Sequence, residues 1–149
     1  MTRQTNLPDQ AAAYFRRGYN CAQSILLTMQ QHYNIRPNPL IPKIATALGG
    51  GIGLCGNVCG AFTGATLAIG LRYGTNRPSH KSREKAYAQT QTLHEQFTKT
   101  FGTLLCRELI DYDLTNPVEL EKARKLQIFD KKCAEIVKKT VEMLLNLDR

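Results

Sequence analysis

Five cysteines are the side chains of this 149-residue sequence best suited to chemistry, and they are spread along most of its length: Cys21, Cys55, Cys59, Cys106 and Cys133. Four of them follow closely after a residue type that caps helix starts, because Asn, Thr and Asp side chains accept a hydrogen bond from a free first-turn N–H. The cap and cysteine pairs are Asn20 with Cys21, Asn57 with Cys59, Thr103 with Cys106, and Asp130 with Cys133. We therefore expect these four cysteines to lie in the first turns of four different helices.

A cysteine in the first turn of a helix has a lowered pKa, because free N–H groups and the helix dipole stabilise the thiolate. The thiolate is both the nucleophile and the metal ligand. One such cysteine alone is commonly a small core residue. Four of them favour a shared site, so we predict one metal or redox site formed by Cys21, Cys59, Cys106 and Cys133. Cys55 is the spare thiol, with a role as a fifth ligand, as a resolving thiol or with no role.

The stretch GGGIGLCGNVCGAFTG, residues 49–64, holds seven of the chain's eleven glycines and two of its cysteines. Glycine lets the backbone approach a ligand closely and present its N–H groups to an anion. We expect this loop to lie beside the sulfur site through Gly49, Gly50, Gly51, Gly53 and Gly60. Gly60, Gly64 and Ala68 continue at a spacing of four residues from Gly56, which predicts a smooth ridge that a neighbouring helix can approach closely.

The positions between these motifs indicate an all-α chain, because apolar residues recur at helical spacing and hairpin signals are absent. We predict a single domain over residues 1–149, a bundle of about six to eight helices, with a flexible N-terminus at residues 1–8. The predicted helices are Asp9–Arg17, Asn20–Tyr33, Leu40–Leu48, Val58–Tyr73, Ser79–Phe101, Leu104–Ile110, Pro117–Ile128 and Lys131–Leu147.

Charge and hydropathy restrict the partners. The net charge is +8, and the basic residues between Arg36 and Arg107 are scattered without an aromatic stacking pattern, so we expect no nucleic-acid partner. A positive field around an anionic cofactor suits this charge better. The longest apolar run, Val58–Leu71, has fourteen residues, fewer than the roughly 20 that span a bilayer, so no membrane partner is expected.

The expected compartment is the cytoplasm, since residues 1–20 do not read as a signal peptide. Cytoplasmic thiols stay reduced, and several cysteines there indicate metal or redox chemistry more often than structural disulfides. No C-x-x-C-H motif occurs, so no covalent haem is expected. The G-x-G-x-x-G match at residues 51–56 lacks the preceding strand and following acid of a dinucleotide site.

These residues together resemble the C_GCAxxG_C_C family of small redox-active proteins. The resemblance runs from about Tyr14 to Val137 and rests on residues 18–23, 49–53, 58–65, 101–102, 106–109 and 133. It implies that the family cysteines are Cys21, Cys59, Cys106 and Cys133. Related domains occur in split-Soret cytochromes, which carry haem and an iron–sulfur centre and form dimers. The resemblance therefore implies a sulfur-ligated centre without haem, and a homodimer.

We interpret the four cysteines as ligands of an iron–sulfur cluster that serves electron transfer to a protein partner, or redox sensing. A metal-free thiol–disulfide relay is one alternative. Structural zinc is a second, because the same four thiolates accept either metal. A non-redox interaction module with incidental cysteines is a third. No particular enzymatic reaction is predicted.

Overall fold

Helices form nearly all of the regular structure. A computed structural model describes residues 6–149, and in that range the only strand-like feature is an isolated bridge between Val58 and Leu105. The α-helices of five or more residues in that range are α1 Leu7–Arg16, α2 Cys21–His32, α3 Leu40–Ile44, α4 Gly60–Tyr73, α5 His80–Phe101, α6 Cys106–Ile110, α7 Pro117–Lys125 and α8 Ala134–Leu147. A four-residue turn at Gly49–Ile52, in which Gly50 and Gly51 have left-handed backbone, belongs to the glycine loop. The predicted all-α class and number of helices are confirmed.

Several helix boundaries differ from the prediction. The predicted helix Leu40–Leu48 ends at Ile44 and continues as a short 3₁₀ turn at Thr46–Leu48. The last helix is preceded by a π-helical turn at Phe129–Cys133, so helical backbone begins before the predicted start. Helix α1 begins at Leu7, with the Asn6 side chain accepting from the N–H of Asp9. Of the N-terminus predicted to be flexible, residues 1–5 lie outside the described residues.

Helix α5 is the longest, with 22 residues, and most of its surface is exposed. Its buried residues, Leu93 and Phe97, lie in its second half. Across residues 6–149, no helix combines the length and the apolar character that crossing a membrane requires.

The predicted small-residue ridge is confirmed on α4, which packs closely against α2, but it does not include Gly56, which precedes the helix and faces Arg107. A Cβ added at Gly64 would lie 2.7 Å from both the Cα and the carbonyl oxygen of Ala22, so the two backbones meet there. Ala65 and Ala68 on the same helix have no exposed surface. The close approach explains why α4 is rich in glycine and alanine.

The apolar side chains form two hydrophobic clusters. The main cluster fills the space between α1, α2, α4, the second half of α5 and α8, and it includes Cys59 with Cys21 packed against it. The small cluster is built on α6 and the segment that follows, with Cys106, Ile110 and Leu114 at its centre. Phe129 and Cys133 pack against the small cluster. Two cysteines therefore belong to each cluster.

Candidate functional site

Four of the five cysteines line one cavity, which lies between the main and small clusters and has a volume of about 610 Å³. They are the four that the sequence singled out: Cys21, Cys59, Cys106 and Cys133. Most of the remaining wall is apolar and comes from Phe15, Leu54, Ala61, Leu109, Ile110, Leu120, Phe129 and Ile136. Cys55 does not line the cavity and is exposed.

Cys21 is the first residue of α2, as its predicted cap requires. Asn20 Oδ1 accepts from the N–H of Gln23 at 2.9 Å, and Gln23 Oε1 accepts from the N–H of Asn20 at 3.1 Å, which is a complete capping box. Four backbone N–H groups favour a negative charge on the Cys21 sulfur: those of Cys21, Ala22, Gly50 and Gly60. A Cβ at position 60 would lie 2.2 Å from Cys21 Sγ, so this sulfur position requires glycine there.

Cys59 and Cys106 are held together by backbone hydrogen bonds between their two segments. The N–H of Cys59 donates to the carbonyl of Leu104 at 2.8 Å, and the N–H of Cys106 donates to the carbonyl of Asn57 at 2.7 Å. The predicted caps are wrong here, because Cys59 itself is the residue preceding α4 and Leu105 precedes α6. Pairing of the two segments, and not side-chain capping, therefore places these cysteines.

The predicted helix start at Cys133 is also wrong. Cys133 ends the π-helical turn that runs directly into α8, and its backbone is helical (φ −70°, ψ −37°). Asp130 lies inside that turn and does not cap a helix. Its carboxylate raises the pKa of Cys133, after the larger effects of burial and of the other three cysteines.

Burial raises the pKa of all four cavity thiols, which contradicts the lowered values predicted from helix starts. The pKa of Cys59 rises to about 12 and that of Cys106 to about 11, while that of Cys21 is raised by burial in spite of its four N–H groups. After burial, charge on Cys21 is the next cause at Cys59, Cys106 and Cys133. Desolvation thus outweighs the helix-start effect, and the four thiols are close enough to interact electrostatically.

The glycine loop reaches the cavity through a run of left-handed backbone. Residues 50–54 all have φ between 60° and 70°, including the non-glycine residues Ile52 and Leu54 at 65°. Left-handed backbone costs a non-glycine residue about 1–2 kcal/mol, so this turn stores strain beside the cysteines. Gly49, Gly50 and Gly53 line the cavity.

The other two predicted loop glycines, Gly51 and Gly60, lie against cysteine side chains. A Cβ at Gly51 would lie 2.6 Å from Cys106 Cβ and 2.7 Å from the nitrogen of Asn57, and Gly60 lies against the Cys21 sulfur. Neither is among the residues that line the cavity. These two glycines give the neighbouring cysteines room.

Sequence reasoning missed the part of the wall contributed by Phe15, Leu120, Arg124 and Phe129. Leu120 and Arg124 are four residues apart, so their spacing could have placed both on one face of α7. Nothing in the sequence indicated that this face meets the cysteines. Of the cavity-lining residues within 6–149, Arg124 is the one with a formal charge.

The donor chemistry at the cavity fits a sulfur-ligated group, since four thiols face it and backbone N–H groups favour charge on the sulfurs of Cys21 and Cys59. Within the described part of the chain, however, no group of three or more His, Cys, Asp or Glu side chains is placed so that it could hold a metal ion. The thiols share a cavity without sharing an ion-binding point.

Comparisons with known proteins identify the family of this chain. A family model described as "Putative redox-active protein (C_GCAxxG_C_C)" matches residues 19–147, which include all four cavity cysteines. An uncharacterised protein of Archaeoglobus fulgidus is 30% identical over 135 residues, covering 85% of this chain and 83% of its own length. No solved structure gives a significant match. The chain belongs to the C_GCAxxG_C_C family.

Proposed function

We propose that Cys21, Cys59, Cys106 and Cys133 form one redox site that ligates an iron–sulfur cluster, for electron transfer or redox sensing. The observation that carries the proposal is the shared cavity, since four cysteines from two separate hydrophobic clusters line it. Four cysteine ligands are the usual set for two-iron and four-iron clusters. When bound, the cluster supplies the exchange of electrons.

The residues around the cavity stabilise its cysteines as thiolates only when a bound cation is also present. Burial keeps the pKa of Cys59 at about 12 and that of Cys106 at about 11, so both are neutral thiols near pH 7. A metal ligand must be deprotonated, and metal binding drives that proton release. The N–H groups of Ala61 and Phe62 then stabilise the Cys59 thiolate, as those of Gly50 and Gly60 stabilise Cys21.

The alternatives fit these observations less well. Structural zinc needs its ligands within about 2.3 Å of one point, and the described residues contain no such group of three. An iron–sulfur cluster distributes its ligands over several iron atoms and suits a wider spacing. A thiol–disulfide relay needs a thiolate near neutral pH, which the raised pKa values of the cavity thiols disfavour.

The proposal includes the setting of the reaction. All five cysteines are free, which suits a reducing compartment such as the cytoplasm. Electron transfer needs a protein redox partner, and we include a homodimer because the relatives named by the resemblance form dimers. Neither feature is needed for the cluster itself.

The test is iron and sulfide analysis together with a visible spectrum, on full-length protein purified without oxygen. We expect iron and sulfide in comparable amounts and absorbance between about 400 and 460 nm, because thiolate-held clusters are coloured. Zinc without colour would assign the site to structural zinc. A colourless, metal-free protein that forms disulfides among the cavity cysteines would contradict the cluster in favour of the relay.

A further inference from the structure

The cavity has a second chemical feature besides its thiols, namely Arg124 on α7. Among the described residues that line the cavity, Arg124 carries the one formal charge and none is a carboxylate. The ion pairs recorded among residues 6–149 join His32 with Asp148, His80 with Glu84, and Lys138 with Asp9. The Arg124 guanidinium is therefore not engaged with a carboxylate in the described part of the chain.

The wall near Arg124 is apolar. Leu120 lies one helical turn earlier on α7, and Phe129 follows α7 in the π-helical turn. Phe15 and Ile136 line the same cavity from the main cluster. An apolar wall with one isolated guanidinium matches a molecule that has an apolar body and a single anionic group.

Apart from Arg124 and the cysteines, the polar side chains that line the cavity in the described part of the chain, Asn20 and Thr46, already have partners. Asn20 uses its oxygen in the capping box and donates its amide to the carbonyl of Thr46 at 2.8 Å. The Thr46 hydroxyl accepts from Gln23 at 3.0 Å. Arg124 is the group left to fix the orientation of a bound molecule.

The size of the cavity leaves room for such a molecule. Its volume of about 610 Å³ falls in the range of roughly 300–1,000 Å³ that is typical of small-molecule sites. Guanidinium pairs with carboxylate and phosphate through two parallel hydrogen bonds, which makes these the anionic groups that Arg124 suits best.

We propose that the cavity binds a small organic anion, a carboxylate or phosphate on an apolar body, with Arg124 as the partner of the anionic group and the four cysteines beside the apolar body. This binding goes beyond the redox site proposed above and does not require a cluster. It assigns α7 the role of positioning a small molecule next to the cysteines.

The test is calorimetric titration of the full-length, reduced, metal-free protein with octanoate, octyl phosphate and octan-1-ol. We expect at least one of the two anions to bind about tenfold more tightly than the alcohol, because an exposed guanidinium contributes a modest charge-assisted hydrogen bond. Preference for the carboxylate or for the phosphate identifies the anionic group. Failure of both anions to bind, or equal binding of the alcohol, would overturn the proposal.

Two pairs of variants locate the binding site. Arg124→Gln should weaken anion binding about tenfold, whereas Lys125→Gln, which removes the same charge from the outer side of α7, should leave it unchanged. Leu120→Trp should block binding by filling the apolar part, whereas Val118→Trp, at a position with 76% exposure, should not. Equal binding by Arg124→Gln and wild type would contradict the role of Arg124.

Thermal unfolding without ligand checks that each variant is folded, and Arg124→Lys serves as a second variant with an intermediate expected loss. The titration involves no iron. A protein that binds the anion but never binds iron would refute the cluster alone, and a protein that binds iron but no anion would refute only this inference.

Discussion

The two halves of the cavity wall give their cysteines different electrostatic surroundings. Around Cys21 and Cys59, in the main cluster, backbone N–H groups favour negative charge on the sulfurs. In the small cluster, the pKa of Cys106 is raised by burial and by Cys21 alone. The pKa of Cys133 is raised by burial and by the other three cysteines, and the carboxylate of Asp130 raises it further. The main-cluster half therefore offers backbone hydrogen bonds to anionic sulfur, although burial still raises the pKa of both its thiols, and the small-cluster half offers its thiols no such hydrogen bonds.

The main-cluster half of the cavity wall depends on the close approach of α2 and α4. A substitution that prevents this approach should have the largest effect on the protein. Gly64→Ala places a Cβ 2.7 Å from the backbone of Ala22, which cannot move aside as a flexible side chain would. We expect the free energy of unfolding to fall by about 3 kcal/mol, measured by chemical denaturation.

Gly70→Ala is the matched control on the same helix, because a Cβ there meets nothing within 4 Å. It should be neutral or stabilise the protein by about 0.5–1 kcal/mol, since alanine favours helix. Equal losses for Gly64→Ala and Gly70→Ala would show that α2 and α4 do not meet as described.

The next difference concerns the rates at which the individual thiols react in the metal-free, reduced protein. With pKa values of about 12 and about 11 against an ordinary 9.0, Cys59 and Cys106 should react roughly a hundredfold or more slowly than an unhindered thiol at neutral pH. Exposed Cys55 should give the fast phase. The measurement is the time course of a coloured thiol reagent, with modified sites assigned by mass spectrometry.

Cys55→Ser should abolish the fast phase and leave the slow ones. Among the slow thiols, Cys106 should react before Cys59, since its pKa is the lower of the two. A fast phase from any of the four cavity cysteines would contradict their burial as neutral thiols.

A smaller effect is expected on stability at alkaline pH. A thiol whose pKa is raised by folding keeps its proton in the folded state while the unfolded chain loses it, so stability falls as the pH rises. For Cys106 the window runs from about 9 to about 11, with a slope of up to about 1.4 kcal/mol per pH unit. The free energy of unfolding of the metal-free protein should therefore fall less steeply in Cys106→Ser than in wild type.

Cys55→Ser is the control for this titration, since Cys55 is exposed and lies outside the cavity. It should keep the wild-type slope between pH 9 and 11. A Cys106→Ser variant with that same slope would show that burial does not hold Cys106 neutral in the folded state.

Local features of the site could be predicted from the sequence. Capping acts within one helical turn, so Asn20 was enough to predict the helix start at Cys21, and the structure adds Gln23 as the second half of a capping box. The spacing of Gly60 and Gly64 predicted the close helix contact in the same way. The four cysteines could be singled out because each followed a potential cap, although only one of those caps exists as predicted.

Features that depend on distant segments could not be predicted. Cys59 and Cys106 are placed by hydrogen bonds between two segments about fifty residues apart, which no local pattern encodes. Ile52 and Leu54 adopt left-handed backbone that such residues ordinarily avoid, so their strain depends on tertiary structure. The thiol pKa values were predicted with the wrong sign, because the depth of burial emerges only once both clusters are assembled.

The central claim is that cysteines from both clusters serve one site. The direct test is iron bound per chain in Cys21→Ser, Cys59→Ser, Cys106→Ser and Cys133→Ser, with Cys55→Ser as the control, all purified without oxygen. We predict that each of the four loses most of its iron and visible absorbance, and that Cys55→Ser keeps both. Full iron in Cys106→Ser and Cys133→Ser, with loss confined to Cys21→Ser and Cys59→Ser, would contradict a site shared by the two halves.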